Sequence, residues 1–417
     1  MRYVIIGNSA AGNAAASAIR ARDPLGHVII LSHEAYPSYY RPVMPQFVDD
    51  RITFDAVFRD EPGLPPGVEV RLGTRVERID PSNKTLSVNT GKSVAYDRLL
   101  IATGASAIRP GIPGLDGPGV YVFRDFDDAK AIKGTAQKGR RALIIGGGRV
   151  GMKAAMALRR RGLEVTVVEQ ESRLVPSQFD EVASEIVGRA IEEQGIRVLL
   201  NRRVVRVTRI NDMPNTVVLS DGASLEPDFI VVTVGIRPNT ELAKECALAV
   251  NRGIAVDNYL QTSLEHVFAA GDVVETRNLV TGEASILPGT WTNAVETGRI
   301  AGTNMAGANM EFPGAISVFN SFVLAGVPTV SIGTILPIPG DGHQVHTRRK
   351  GDEYRKLVVK DDRLVGTIMI GNVEGAGLFT SLIMRKVRIG PDLDALLSDR
   401  PPHSLLPARA LSLVQGL

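Results

Sequence analysis

Gly7-Asn8-Ser9-Ala10-Ala11-Gly12, directly behind the apolar run Tyr3-Val4-Ile5-Ile6, decides the reading of this chain. Small residues in that arrangement let the backbone turn tightly out of a strand. They open a helix whose first N–H groups face an anion. A second copy stands at Gly146-Gly147-Gly148-Arg149-Val150-Gly151, behind Ala142-Leu143-Ile144-Ile145. One such loop is a weak signal. A strand before it, a helix after it and an acidic residue about 20 positions on make it specific. Both copies meet that test. The pattern predicts two dinucleotide sites in one polypeptide, and two cofactors that exchange electrons.

The 417 residues allow two to four domains. With 44% hydrophobic and 22% charged residues, a packed soluble protein is expected. No apolar run is long enough to span a bilayer, which takes about 18 residues. The chain begins in a strand, with no signal-peptide pattern. The single cysteine, Cys246, excludes an internal disulfide and points to a reducing, cytoplasmic setting. A formal charge of +3 is too small to imply nucleic acid. The local clusters Arg348-Arg349-Lys350 and Arg385-Lys386 read first as solvated surface, and otherwise as a face for an acidic partner.

In the first half, Val28-Ile29-Ile30-Leu31 reads as the next strand, and Glu34 lies 22 positions after Gly12. A carboxylate there accepts from the hydroxyls of an adenosine ribose. The helix opening at Ala10, Ala11 and Gly12 aims its dipole at a pyrophosphate. Ser9 replaces the glycine usual at that point. Arg41, held by Pro42, is placed to reach a phosphate or an isoalloxazine edge. Leu99-Leu100-Ile101 runs into the small turn Ala102-Thr103-Gly104, where backbone can approach a ligand. Residues 109–119, rich in Pro and Gly, read as a linker.

In the second half, a helix runs from Gly151 towards Arg161 and Gly162 ends it. Leu163-Glu164-Val165-Thr166-Val167-Val168 is the next strand, closed by Glu169, 23 positions from Gly146. That carboxylate accepts from the ribose 2′-OH of NADH and repels the 2′-phosphate of NADPH. Gln170 carries no charge to reverse this; Arg173 would do so only by folding back. Phe229-Ile230-Val231-Val232-Thr233-Val234-Gly235 repeats the strand-then-glycine pattern, an internal repeat of about 130 residues. Val267-Phe268-Ala269-Ala270-Gly271-Asp272 ends a short strand where Asp272 can accept from sugar hydroxyls. Trp291, Thr292, Asn293 and Ala294 open a helix whose positive end suits a reduced flavin. The last hundred residues read as α+β without a phosphate loop. His343 and His346 fall in a Gly-rich stretch without further ligands, so no metal is expected.

These motifs, in this order, resemble the pyridine nucleotide-disulfide oxidoreductase superfamily over essentially the whole chain. The marks are residues 7–12, Ala102-Thr103-Gly104, residues 146–151, Gly235-Ile236-Arg237-Pro238-Asn239 and Ala270-Gly271-Asp272. The branch with rubredoxin reductases, NADH oxidases and nitrite reductase flavin domains looks nearest, from Tyr39-Tyr40-Arg41-Pro42. The resemblance implies an α/β fold with two Rossmann-like dinucleotide-binding domains, one inserted in the other, plus a C-terminal α+β interface domain. Their expected bounds are 1–108 with 242–313 for FAD, 109–241 for NAD and 314–417 for the interface. It further implies that the backbone of Val76 meets adenine, that Arg124 lies near the flavin phosphates, and that the protein is a homodimer.

Two departures bear on function. Disulfide reductases of this branch carry a redox cysteine after the Tyr-rich stretch; Val43, Met44 and Pro45 stand here instead. Thiol–disulfide chemistry is therefore not expected, and Cys246 reads as a buried structural residue. The family usually has Glu where Lys153 stands. An amine there leaves three readings open: pairing with a carboxylate, binding an anionic substrate, or obstructing nicotinamide stacking. The function expected is an NADH-dependent FAD oxidoreductase passing electrons to a small acidic carrier protein or another acceptor, with Lys153 and Arg41 nearest the chemistry. The alternatives are an NADH oxidase reducing oxygen, and a flavoprotein sensor or assembly subunit with blocked hydride transfer.

Overall fold

The computed structural model describes residues 1–59, 63–286, 289–316, 318–390, 393–402 and 404. It divides into two compact units, Met1–Ala107 with Ile236–Ala315, and Ile108–Gly235 with Ile316–Leu417. The interface segment drawn from 314 to 417 thus shares a unit with the middle insert, and its last residues lie outside the described ones.

The first unit is built on a five-stranded parallel sheet in the order Val267–Ala269, Arg98–Ile101, Arg2–Ile6, His27–Leu31, Val68–Arg71. Its strands are continuous apolar runs because both faces are covered, so alternation would serve no purpose. Val4, Ile5, Leu99, Leu100 and Ile101 are completely buried; each such aliphatic side chain contributes about 1.5–3 kcal/mol. Helix Ala10–Arg22 leaves the central strand and packs on helix Trp291–Met305. Small residues make that approach possible. A Cβ added at Gly298 would lie 2.1 Å from Ala11 O, and one at Gly302 would lie 2.4 Å from Ala15 O.

The second unit repeats the plan. Its parallel sheet runs Ile196–Leu199, Glu164–Val168, Arg141–Ile145, Phe229–Val232, Val120–Val122. In each sheet the central strand lies between the strand that leads to the acidic residue and the strand that ends in a small-residue turn. Ile6 pairs with Leu31 and Ile101, and Ile145 pairs with Val168 and Val232. The carboxyl ends of these strands are therefore level, which is where open α/β sheets bind ligands.

The same unit carries an antiparallel sheet in the order Phe319–Leu324, Val327–Gly333, Arg363–Ile370, Glu353–Lys360, Gln344–Lys350. The sequence predicts α+β structure here, and these five strands supply its sheet. The fifth, Gln344–Lys350, corrects the loop expected there: His346 lies within a strand and His343 just before it. The strand is an edge made of polar and basic residues, the composition that protects an edge from adventitious pairing. Asp361 and Asp362, both at positive φ, form the tight turn between strands Glu353–Lys360 and Arg363–Ile370. Among the described residues no helix is long and apolar enough to cross a membrane.

Candidate functional site

Both loops are turns that tolerate no Cβ at their ends. At Gly7 (φ +122°) an added Cβ would lie 2.2 Å from Ala102 O, and at Gly12 it would lie 2.0 Å from Gly7 O. Gly146 (φ +103°) and Gly151 repeat this: the Cβ at Gly151 would lie 2.0 Å from Gly146 O and 2.5 Å from the Thr233 hydroxyl. The strand-end turns named from sequence, Ala102 and Thr233, are thus the walls against which the loops close.

Helix capping separates the two loop helices from the rest. Five helices among the described residues have ten residues or more. Asp125, Asp180 and Thr290 cap three of them with side-chain acceptors. Helices Ala10–Arg22 and Arg149–Arg160 have none: Ser9 makes no capping bond and Gly148 has no side chain. Their first N–H groups are left to an external acceptor. A Cβ on Gly148 would meet nothing within 4 Å, so that side of the loop is open.

In the first unit Glu34 accepts from the Tyr39 hydroxyl at 2.7 Å and pairs with Arg41, whose Nε also donates to Ser9 Oγ at 3.4 Å. Arg41 stacks on the Tyr39 ring at 4.8 Å. The sequence left Arg41 between a phosphate and an isoalloxazine edge; it stands beside Glu34 and the first loop. Pro42 sits in the short 3-10 turn Arg41–Val43, and Val76 opens strand Val76–Asp80. Thr103 exchanges hydrogen bonds with Asn239 at 2.9 Å in both directions, tying the Ala102-Thr103-Gly104 turn to the returning chain. Gly271 (φ +79°) donates to Thr297 Oγ1 at 3.0 Å and precedes Asp272. Trp291, the first residue of its helix, meets Tyr40 edge to face at 4.8 Å, with Thr292 and Ala294 in the same first turn. Asn8 Oδ1, Asn13 Oδ1 and Asn293 Nδ2 are buried without a hydrogen-bond partner among the described residues. A dinucleotide with its own donors and acceptors fits such a segment.

In the second unit Glu169 is buried. Its carboxylate accepts from Gly147 N–H at 2.6 Å and Glu171 N–H at 2.9 Å. Each oxygen retains a further lone pair for a ribose hydroxyl. Arg173 spends its donors on Phe179 O, Pro176 O and Glu181, which removes the fold-back that would favour a 2′-phosphate. Gly235 (φ +117°) accepts from Ile108 N–H at 3.0 Å. Arg124 also belongs to this unit; its backbone N–H donates to Asp128 in the cap of helix Phe126–Thr135. Two carboxylates meet in that cap, and burial first and Asp125 second raise Asp128 to about 6. Arg149 donates to Asn320, and Val150 is 41% exposed beside it. Lys153 lies one turn on from Arg149. Burial, then the Arg149 charge, lowers its pKa. Among the described residues no ion pair is formed by its amine.

Cys246 lies at the end of helix Glu241–Glu245, half buried, with its thiol on Ala243 O at 3.4 Å and its pKa raised by burial. Sequence reasoning quoted Tyr39 and Asn239 only as marks of a motif, without a role, and missed Thr297 and the Gly298/Gly302 pair. Only the last left a signal, two glycines at i and i+4 facing an Ala-rich helix.

The model of the pyridine nucleotide-disulphide oxidoreductase family matches residues 1–298, and that of the rubredoxin NAD+ reductase C-terminal domain matches residues 320–387. The chain is 30% identical over 400 residues to the NADH-dependent phenylglyoxylate dehydrogenase subunit epsilon of Aromatoleum evansii, covering 94% of this chain and 93% of that one. It is 29% identical to a rubredoxin-NAD(+) reductase of Pseudomonas putida, covering 88% and 95%. The solved structure of an NAD-dependent persulfide reductase from A. fulgidus is similar with a TM-score of 0.86 at 28% identity, covering 100% of this chain and 84% of that one. Against two longer Bacillus subtilis relatives the chain spans about half their length, 53% and 48%.

Proposed function

The chain belongs to the pyridine nucleotide-disulphide oxidoreductase family, and from that premise we propose that its first loop holds FAD, its second holds NADH, and its acceptor is an acidic electron-carrier protein. It is an NADH-dependent flavin oxidoreductase that works without a redox disulfide. The capping pattern carries the assignment of the loops. The only long helices among the described residues without side-chain caps are the two that open at Gly-rich turns.

The chemistry supplied by the bound cofactors is hydride transfer from NADH to FAD and onward delivery of electrons. The protein contributes position and field. Gly7, Ser9, Ala10, Ala11 and Gly12 present backbone N–H groups to the FAD pyrophosphate. Glu34 accepts from its ribose, with Arg41 and Pro42 fixing that carboxylate. Val76 and the Ala102-Thr103-Gly104 turn wall the cofactor. Gly271 and Asp272, with Trp291, Thr292 and Ala294 at a helix N-terminus, serve the flavin end, where a positive dipole stabilises added electron density. Gly146, Gly148, Arg149, Val150 and Gly151 take the NADH pyrophosphate, Glu169 its ribose, and Gly235 closes the strand-end turn. Lys153 brings an amine, without an ion-pair partner among the described residues, to this loop in place of an acid, and its positive charge favours anionic groups of the substrate.

The two basic clusters read from sequence differ in a way that bears on the acceptor. Arg348 and Lys350 pair with Asp399, and Arg349 with Glu185. Arg385 and Lys386 are exposed and pair with no carboxylate among the described residues. Unneutralised cations on a surface accelerate encounter with an acidic carrier. A homodimer is carried over by analogy with the family, and the free Cys246 thiol supports a cytoplasmic setting.

Stopped-flow reoxidation tests this reading. The NADH-reduced protein is expected to be reoxidised at least about tenfold faster by a rubredoxin or [2Fe–2S] ferredoxin than by air, with a rate that falls as salt rises. Air outrunning every carrier would place the chain with the oxidases. A flavin that NADH leaves oxidised would make it a sensor or assembly subunit.

A further inference from the structure

We infer that the C-terminal antiparallel sheet sets the shape of the NADH loop, and that Asn320 and Asp180 are positioning residues for NADH binding. The inference rests on the reading of the second loop as the NADH site, and goes beyond it by assigning a task to a sheet that carries no phosphate loop of its own.

Two fastenings join that sheet to the loop inside the second unit. The first is short. Arg149 is the first residue of the uncapped loop helix, and its guanidinium donates to Asn320 Oδ1 on strand Phe319–Leu324. Holding this side chain from the sheet fixes the turn whose N–H groups face the pyrophosphate.

The second runs through residues 174–180. Val175 N–H donates to Gly147 O at 2.9 Å, while Gly147 N–H is held by Glu169 at 2.6 Å. The Gly147 peptide is therefore gripped on both sides, by the ribose carboxylate and by this segment. Leu174 packs under the same glycine, where an added Cβ would lie 2.8 Å from its methyl. Val175 is a β-branched residue at φ +47°, a conformation that persists only where its surroundings impose it.

The sheet imposes it. Gln178 O accepts from the buried Ser331 hydroxyl at 2.6 Å, and Phe179 stacks on Phe322 at 6.0 Å. Asp180 accepts from the Tyr354 hydroxyl at 2.7 Å and from Lys356 Nζ at 3.0 Å, all three residues being buried. Asp180 also caps helix Glu181–Glu193 through Ala183 N–H. A buried ion pair with a third hydrogen-bonded partner fixes one geometry, because losing any member strands the others away from water.

Asn320→Ala and Asn320→Asp separate positioning from bulk stability, since Asn320 is only half buried. With ferricyanide as acceptor, Asn320→Ala is expected to raise KM for NADH about tenfold, the loss of one hydrogen bond to a charged group. Its kcat, flavin content and melting temperature stay at the parent values. Asn320→Asp, which keeps an acceptor for Arg149, restores KM. Ser331→Ala, which releases Gln178 O, raises KM about threefold through the second fastening. An Asn320→Ala protein with parental KM, or one in which kcat, flavin content and melting temperature fall together, overturns the inference. A parent protein whose flavin NADH cannot reduce overturns the NADH reading beneath it; a reducible parent with an indifferent Asn320→Ala variant overturns the positioning role alone.

Discussion

The first and second loops share a strand, a turn, a helix and an acid, yet they are stabilised by different neighbours. In the first, the acid Glu34 is held by side chains five and seven residues along the chain, Tyr39 and Arg41. In the second, the acid Glu169 is held by backbone N–H groups, and the loop is fastened to a sheet about 170 residues away through Asn320. The same local sequence pattern thus carries two support systems. The first is written next to the motif, and the second exists only once the C-terminal sheet has formed.

Paired glycine substitutions break the comparison most severely. Gly12→Val and Gly151→Val place a Cβ about as close to the carbonyls of Gly7 and Gly146, respectively. Each overlap costs about 3 kcal/mol or more, about a hundredfold in cofactor affinity. Gly12→Val is expected to purify without flavin, as read from its visible spectrum. Gly151→Val is expected to stay yellow and resist anaerobic bleaching by NADH.

Arg41→Ala sharpens the contrast within the first loop. Removing the cation beside Glu34 is expected to weaken FAD about tenfold, the loss of one charge-assisted hydrogen bond. Flavin release on dilution, followed by fluorescence, measures it. KM for NADH stays unchanged, because the second loop is supported independently.

How much of this was legible follows from the same contrast. The loops and their strands are local patterns: the structure has strands and glycine turns where the pattern predicts them, and both acids lie just beyond the strands that follow. The apolar strands of the C-terminal sheet were readable for the same reason. Strand Gln344–Lys350 was not, since an edge strand with few buried side chains has no apolar period to display. Tyr39 lay beside the motif but as one aromatic residue in a Tyr-rich stretch. Asp180 and Asn320 gave no signal, because their partners lie 174 and 171 residues away. No spacing rule reaches across that distance. The C-terminal antiparallel sheet, matched by its own domain model, falls in one compact unit with the second loop.

A smaller effect concerns Lys153. Its folded pKa is lowered by burial and by Arg149. The native state therefore disfavours the charged amine that the unfolded chain carries freely. The resulting penalty is full below the folded pKa and fades as pH rises towards the unfolded value. Lys153→Met is expected to raise the melting temperature by about 2 °C at neutral pH, with the gain vanishing in alkaline buffer. Melting curves across pH check the sign. The smallest effect belongs to Cys246→Ser, which is expected to leave NADH-to-carrier turnover within about twofold, since the change keeps a donor for Ala243 O at a half-buried position away from both loops.

Anaerobic titration of the FAD-loaded protein with NADH tests the central claim most directly. Two dinucleotide loops serving one electron path predict that about one equivalent of NADH bleaches the visible flavin band and that NADPH is much less effective. A protein that binds FAD through the first loop yet stays fully oxidised under excess NADH would contradict the account.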